Sequence, residues 1–106
     1  MFKREFRLPK NVRFNKENQV FSKFLFIKVS ENKVNLKRFG IVVSKRVDKR
    51  AVIRNKIKRQ IRSCIEENEK NVPVGKDILI IVMPNIKDKQ KKEICDSIEK
   101  LFKKIK

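Results

Sequence analysis

The stretch from Lys45 to Arg62, KRVDKRAVIRNKIKRQIR, holds nine basic side chains against a single acid, Asp48, a net charge of +8. Apolar residues nevertheless recur through and beyond it at helical intervals: Ile53, Ile57, Ile61, Cys64 and Ile65. At 100° per residue these form one stripe, while Arg54, Asn55, Lys58, Arg59 and Arg62 fall on the other side. The spacing predicts an amphipathic basic helix over 52–69. Such a helix constrains everything else, because its stripe needs an apolar layer beside it and its other face must remain outside. Like charges one turn apart cost a few tenths of a kcal/mol per pair in a free helix, so the outer face does nothing for folding. A polyanion would reverse the sign of that cost.

The rest of the chain supplies the apolar layer. Val20 to Val29, VFSKFLFIKV, is dense in β-branched and aromatic residues and has the length of a strand. The short continuous run Phe39 to Val43 reads as an interior strand covered on both faces, and DILIIVMP, closed by Pro84, as a buried strand. Between them NVPVGK ends the basic helix. Asp88 is placed to cap a last helix over 88–104, with Ile94, Ile98, Leu101, Phe102 and Ile105 inward and Lys91, Lys92, Lys100, Lys103 and Lys104 outward. Residues 1–18 interleave basic residues with Phe2, Phe6 and Phe14, and Pro9 limits them to a short helix and an extended arm. One more short strand fits between Val12 and Gln19. With 106 residues, 40% of them hydrophobic, the chain makes a single small α+β domain spanning 1–106.

The composition excludes several chemistries. Histidine is absent, which removes the commonest general base, the commonest zinc ligand and the histidine-dependent triads. The twelve acids are scattered, with no cluster suited to a stand-alone nuclease holding its own metal. Cys64 and Cys95 form no C-x-x-C pair and read as buried free thiols. No apolar run approaches a membrane span, and the start MFKREFRLPK lacks the apolar stretch of a signal peptide, so the expected location is the cytoplasm. There, thirty basic residues against twelve acidic ones, a net +18, call for nucleic acid. Arginine forks onto phosphate, lysine acts as a mobile point charge, and Asn55 can donate and accept toward a base edge or a 2′-hydroxyl. These residues alone leave the choice between a processing factor and a structural RNA-binding protein, such as a ribosomal protein or an RNA chaperone.

Phe39 to Arg62, FGIVVSKRVDKRAVIRNKIKRQIR, resembles the protein subunit of bacterial ribonuclease P. It contains a V-S-K-[KR]-V segment followed by A-V-x-R-N-x-x-K-R-x-x-R at Ala51 to Arg62. Weaker likeness extends to KFLFIKV, GKDILIIVMP and the C-terminal helix. The resemblance implies a two-layer α/β sandwich of order αβββαβα, like the second domain of ribosomal protein S5, with a left-handed crossover between parallel strands. It further implies that an RNA subunit is the catalyst and holds the Mg²⁺ ions, while the protein binds that RNA and the single-stranded 5′ leader of precursor tRNA. By position, Arg54, Asn55, Lys58, Arg59 and Arg62 are the implied RNA-binding residues, flanked by Lys45 and Arg46. Phe14, with Phe24 or Phe26, is implied in the leader cleft, and no membrane or protein partner is implied. Two features depart from the family pattern: Leu8-Pro9 shortens the first helix, and Asp48-Lys49-Arg50 stands where a glycine and a shorter connection are usual.

Overall fold

A computed structural model describes residues 19–32 and 35–105. The N-terminal arm, its expected helix, Phe14 and the extra strand between Val12 and Gln19 therefore lie outside the described residues, apart from Gln19 itself. The elements run β1 (Gln19–Phe21), β2 (Leu25–Glu31), β3 (Arg38–Val42), α1 (Ala51–Asn68), β4 (Lys76–Val82) and α2 (Lys91–Lys103). They form an α+β fold in which a four-stranded mixed sheet, of order β1-β2-β4-β3, carries the helices on one face. β2 runs antiparallel to β1 and β4, whereas β3 and β4 are parallel, so α1 is the crossover between two adjacent parallel strands.

The register sorts the side chains. Val20, Ile27, Ile80 and Ile41 make one row across the sheet, and Val29, Ile78 and Phe39 the next, both directed at the helices. Against them pack Ile57, Ile61, Cys64 and Ile65 of α1 and Ile94, Ile98, Leu101 and Phe102 of α2. The Phe39 and Phe102 rings meet at 5.8 Å, joining the last helix to the outermost strand. The core is built almost wholly of isoleucine, leucine, valine and phenylalanine. That apolar burial is what holds α1, because its first turn has no acid and its last turn no base to favour the helix dipole.

Several sequence expectations are corrected. Val20 to Val29 is a hairpin rather than one strand: Ser22, Lys23 and Phe24 interrupt it, and Ser22 N–H donates to Leu25 O at 2.9 Å across the turn. β3 is an edge strand and not an interior one, which leaves Val42 exposed. Asp88 does not cap α2; it sits at φ 69°, and Gln90 caps instead, its N–H donating to Glu93 at 3.3 Å. Cys64 and Cys95 are not free thiols. α1 and α2 lie side by side on the same sheet face, their Cα atoms at these positions are 5.0 Å apart, and the two sulfurs are bonded. Ahead of β4, Gly75 takes φ +87°, which glycine alone adopts without strain, so that its N–H reaches Leu36 O while its carbonyl accepts from Asn32.

Candidate nucleic-acid interface

The connection from β3 to α1 is held from both sides. Val43 and Val47 are buried, and Val47 N–H closes a turn onto Ser44 O at 3.1 Å, which leaves Lys45 and Arg46 exposed at its tip. Asp48 follows, almost wholly buried. One of its oxygens accepts from the Arg50 N–H at 2.8 Å and from Nε at 3.1 Å; the other accepts from Arg50 Nη2 at 3.0 Å and lies 3.2 Å from Lys87 Nζ. The Arg50 guanidinium and N–H, with Lys87, hold its carboxyl well below the usual carboxylate range despite burial. Asp48 thus places a negative charge beside the start of α1, where the residue at the cap position, Arg50, makes no side-chain capping bond.

Beyond this corner α1 presents its cationic side. Val52, Asn55, Lys58, Arg59 and Arg62 line a shallow open concavity. Asn55 and Arg59 are exposed, and Lys58 and Arg62 are half-buried along their stems. Lys45, Arg46, Lys58, Arg59 and Arg62 have no ion-paired carboxylate among the described residues. Arg54 differs: its Nη1 donates to the carbonyls of Asp48 at 3.0 Å and Lys49 at 2.8 Å, so this arginine also braces the loop. Lys45, Arg46, Asn55, Lys58, Arg59 and Arg62 are thus at least partly exposed, while Arg54 fastens the start of α1 to the loop before it.

The aromatic positions separate. Phe24 packs against the core, with Lys89 Nζ 5.2 Å above its ring. Phe26 points to the sheet face turned away from α1 and α2, where it stacks on Phe21 with centroids 5.1 Å apart. Phe21 is 60% exposed, and the row continues through Ile81 to Val42. Phe21 was not singled out in the sequence; its signal was the alternation on either side of Ser22-Lys23, which puts Phe21 and Phe26 opposite each other in a hairpin. At the far end of this face, Arg38 forks onto Asp77 with both contacts at 2.7 Å, and Asn32 Nδ2 adds a third at 2.8 Å.

Among the described residues no side chains are grouped to suit a metal centre. Asp48 and Asp77 are both spent on cations, and no group of three metal-ligating side chains occurs among the described residues. What the arrangement can do is bind phosphate along α1 and offer an aromatic pair to bases on the opposite sheet face.

The ribonuclease P family matches residues 2–106. The chain is 36% identical over 103 residues to the ribonuclease P protein component of Alkaliphilus oremlandii, covering 93% of this chain and 90% of that one. It is 31% identical over 107 residues to that of Mycoplasma capricolum, with 100% and 95% covered. The RNase P protein of Staphylococcus aureus superposes with a TM-score of 0.80 at 33% identity, over 92% of this chain and 93% of that one. The chain belongs to the ribonuclease P protein family, the protein subunit of a tRNA-processing endoribonuclease whose catalysis is attributed to its RNA.

Proposed function

We propose that the α1 face and the Lys45-Arg46 turn bind phosphates of the catalytic RNA, while the 5′ leader of precursor tRNA lies on the opposite sheet face. The observation that supports this most is a set of cations on α1 with no ion-paired carboxylate among the described residues: Lys58, Arg59 and Arg62 around Asn55, held outward by a stripe of buried isoleucines. Such a face is self-repulsive alone and becomes favourable against a polyanion. On the other face, bases of a single strand would stack on Phe21 and Phe26, each worth about 1–3 kcal/mol regardless of sequence. Leader contacts of this kind favour precursor over mature tRNA, which has lost the leader.

Mg²⁺ enters this scheme through the RNA. It would supply charge neutralisation and water activation at the scissile phosphate, and among the described residues the carboxylates form no cluster that fits a site for it. The protein contributes binding, orientation and relief of phosphate repulsion, so that productive Mg²⁺ is held at lower concentration. The chain would do this in the cytoplasm, where precursor tRNA is made; among the described residues no helix is long and apolar enough to cross a membrane.

The test is reconstitution. The protein, mixed with a bacterial ribonuclease P RNA at low Mg²⁺, should restore cleavage of precursor tRNA at the 5′ end of the mature sequence. Phe21→Ala and Phe26→Ala should weaken holoenzyme binding to precursor and leave binding to mature tRNA unchanged. Failure to restore cleavage overturns the subunit role, and equal loss for both substrates overturns the placement of the leader.

A further inference from the structure

Three loops converge at the end of the sheet where β4 finishes and α1 begins: the β1–β2 turn, residues 44–50, and the segment from Met83 to Gln90. Their contacts tie them into one surface. Met83 N–H donates to Phe24 O at 2.8 Å, Asn85 Nδ2 donates to Lys23 O at 2.7 Å, and Lys87 reaches Asp48 at 3.2 Å. Arg54 continues the surface onto α1 through its bonds to the Asp48 and Lys49 carbonyls. The three loops together carry seven basic residues and two acidic ones. One of those acids, Asp48, is buried beneath Arg50 and Lys87. Lys23, Lys49 and Lys89 are exposed and without an ion-paired carboxylate among the described residues. Two of the loop cations are also held in place, Lys87 by Asp48 and Lys89 over the Phe24 ring.

We infer that these loops form a second phosphate-binding surface, continuous with α1, on which Lys23 and Lys89 contact the backbone of the catalytic RNA. The inference rests on the proposed role of α1 and extends its footprint round the end of the sheet. Folded RNA is favoured over the single-stranded leader because these loops offer no open ring: Phe24 is turned to the core and covered by Lys89. Compact ammonium groups with no open ring beside them to take a base read backbone charge, which a structured RNA presents at fixed spacing.

The experiment measures binding of the full chain to a bacterial ribonuclease P RNA between 50 and 200 mM KCl at constant Mg²⁺, for wild type, K23Q/K89Q, K23Q alone and R59Q. Each lost phosphate contact should lower the salt slope by about 0.9. The double variant should therefore lose affinity over this range about twelvefold less steeply than wild type, and K23Q about 3.5-fold less steeply. K23Q controls for the Lys89–Phe24 contact, since the only bond described for Lys23 uses its backbone carbonyl. Preference of the reconstituted holoenzyme for precursor over mature tRNA should not change in K23Q/K89Q. If R59Q flattens the slope while both Lys23 variants run parallel to wild type, the loop surface is refuted and the role of α1 stands. If R59Q also runs parallel, the role of α1 itself fails. If K23Q/K89Q lowers only the precursor preference, the surface serves the leader and the assignment to catalytic RNA is overturned.

Discussion

Replacing Arg59 and Arg62 together by glutamine separates a binding face from a folding device, because the two predict opposite signs for stability. The five cations without an ion-paired carboxylate among the described residues, Lys45, Arg46, Lys58, Arg59 and Arg62, at a slope of about 0.9 each, contribute about 4.5 to the salt dependence of binding RNA. Between 50 and 200 mM salt that is about a 500-fold loss of affinity. Removing two of them should lower the slope by about 1.8, so the loss becomes about twelvefold smaller. Stability moves the other way. The double substitution abolishes the like-charge neighbours Lys56–Arg59, Lys58–Arg62 and Arg59–Arg62 and one opposite-charge pair, Arg62–Glu66, each worth about 0.2–0.5 kcal/mol in a free helix. The variant should therefore be as stable as wild type or up to about 1 kcal/mol more stable at low salt. Filter binding or fluorescence anisotropy across the salt series gives the first quantity, and urea unfolding followed by circular dichroism gives the second. Parallel salt lines for the two proteins, or a destabilised variant, would refute the reasoning from charge.

Asp77→Ala leaves the half-buried Arg38 guanidinium without its forked partner, so unfolding in urea should show a loss of about 3–5 kcal/mol. Asp48 is held well below the usual carboxylate range, so its stabilisation is complete above about pH 4, its unfolded value, and is lost as pH falls through the lower folded one. The stability gap between wild type and Asp48→Asn should accordingly stay constant from pH 7 to 5 and narrow in more acidic buffer; a gap that widens there would contradict the assigned contacts. The Cys64–Cys95 bond, spanning 31 residues, should contribute roughly 3–4 kcal/mol by loop closure, so dithiothreitol should lower the urea midpoint of wild type and leave Cys95→Ser unmoved. Ile61→Ala empties a wholly buried site and should cost about 2–5 kcal/mol, with about 2.7 kcal/mol regained when catalytic RNA is added at a hundred times its Kd.

What the sequence made legible was whatever periodicity encodes. The stripe Ile57, Ile61, Cys64, Ile65 is buried and Asn55 and Arg59 are exposed, because at 100° per residue nothing else satisfies both water and core. DILIIV lies inside the sheet because both its neighbours are strands. Where the expectation failed, the missing information was relational. A continuous run such as FGIVV does not say whether one strand or two lie beside it, and among the described residues β3 pairs only with β4. Cys64 and Cys95 are distant in sequence, and only the packing of both helices on one sheet face brings them together. Phe24 and Phe26 looked equivalent until the Ser22-Lys23 turn fixed the register, which turned Phe26 outward and Phe24 toward the core. Arg54 showed the reverse limit: the motif marks it for RNA, and only coordinates reveal that it also ties down the loop before α1.

The acids explain how a domain of net charge +18 folds before it meets RNA. Asp77 and Asp48 sit at opposite ends of the sheet, each nearly buried and each neutralising cations that would otherwise crowd a turn. Each offsets repulsion where the chain bends, while the acids of α1, Glu66 and Glu67, fall in its last turn and leave the stretch from Ala51 to Arg62 without one. Spreading the same acids along α1 would stabilise the helix and abolish its attraction for phosphate. Asp48 and Asp77 thus fix the cations that shape the turns, Arg50, Lys87 and Arg38, while Lys58, Arg59 and Arg62, on the face proposed to meet RNA, have no ion-paired carboxylate among the described residues.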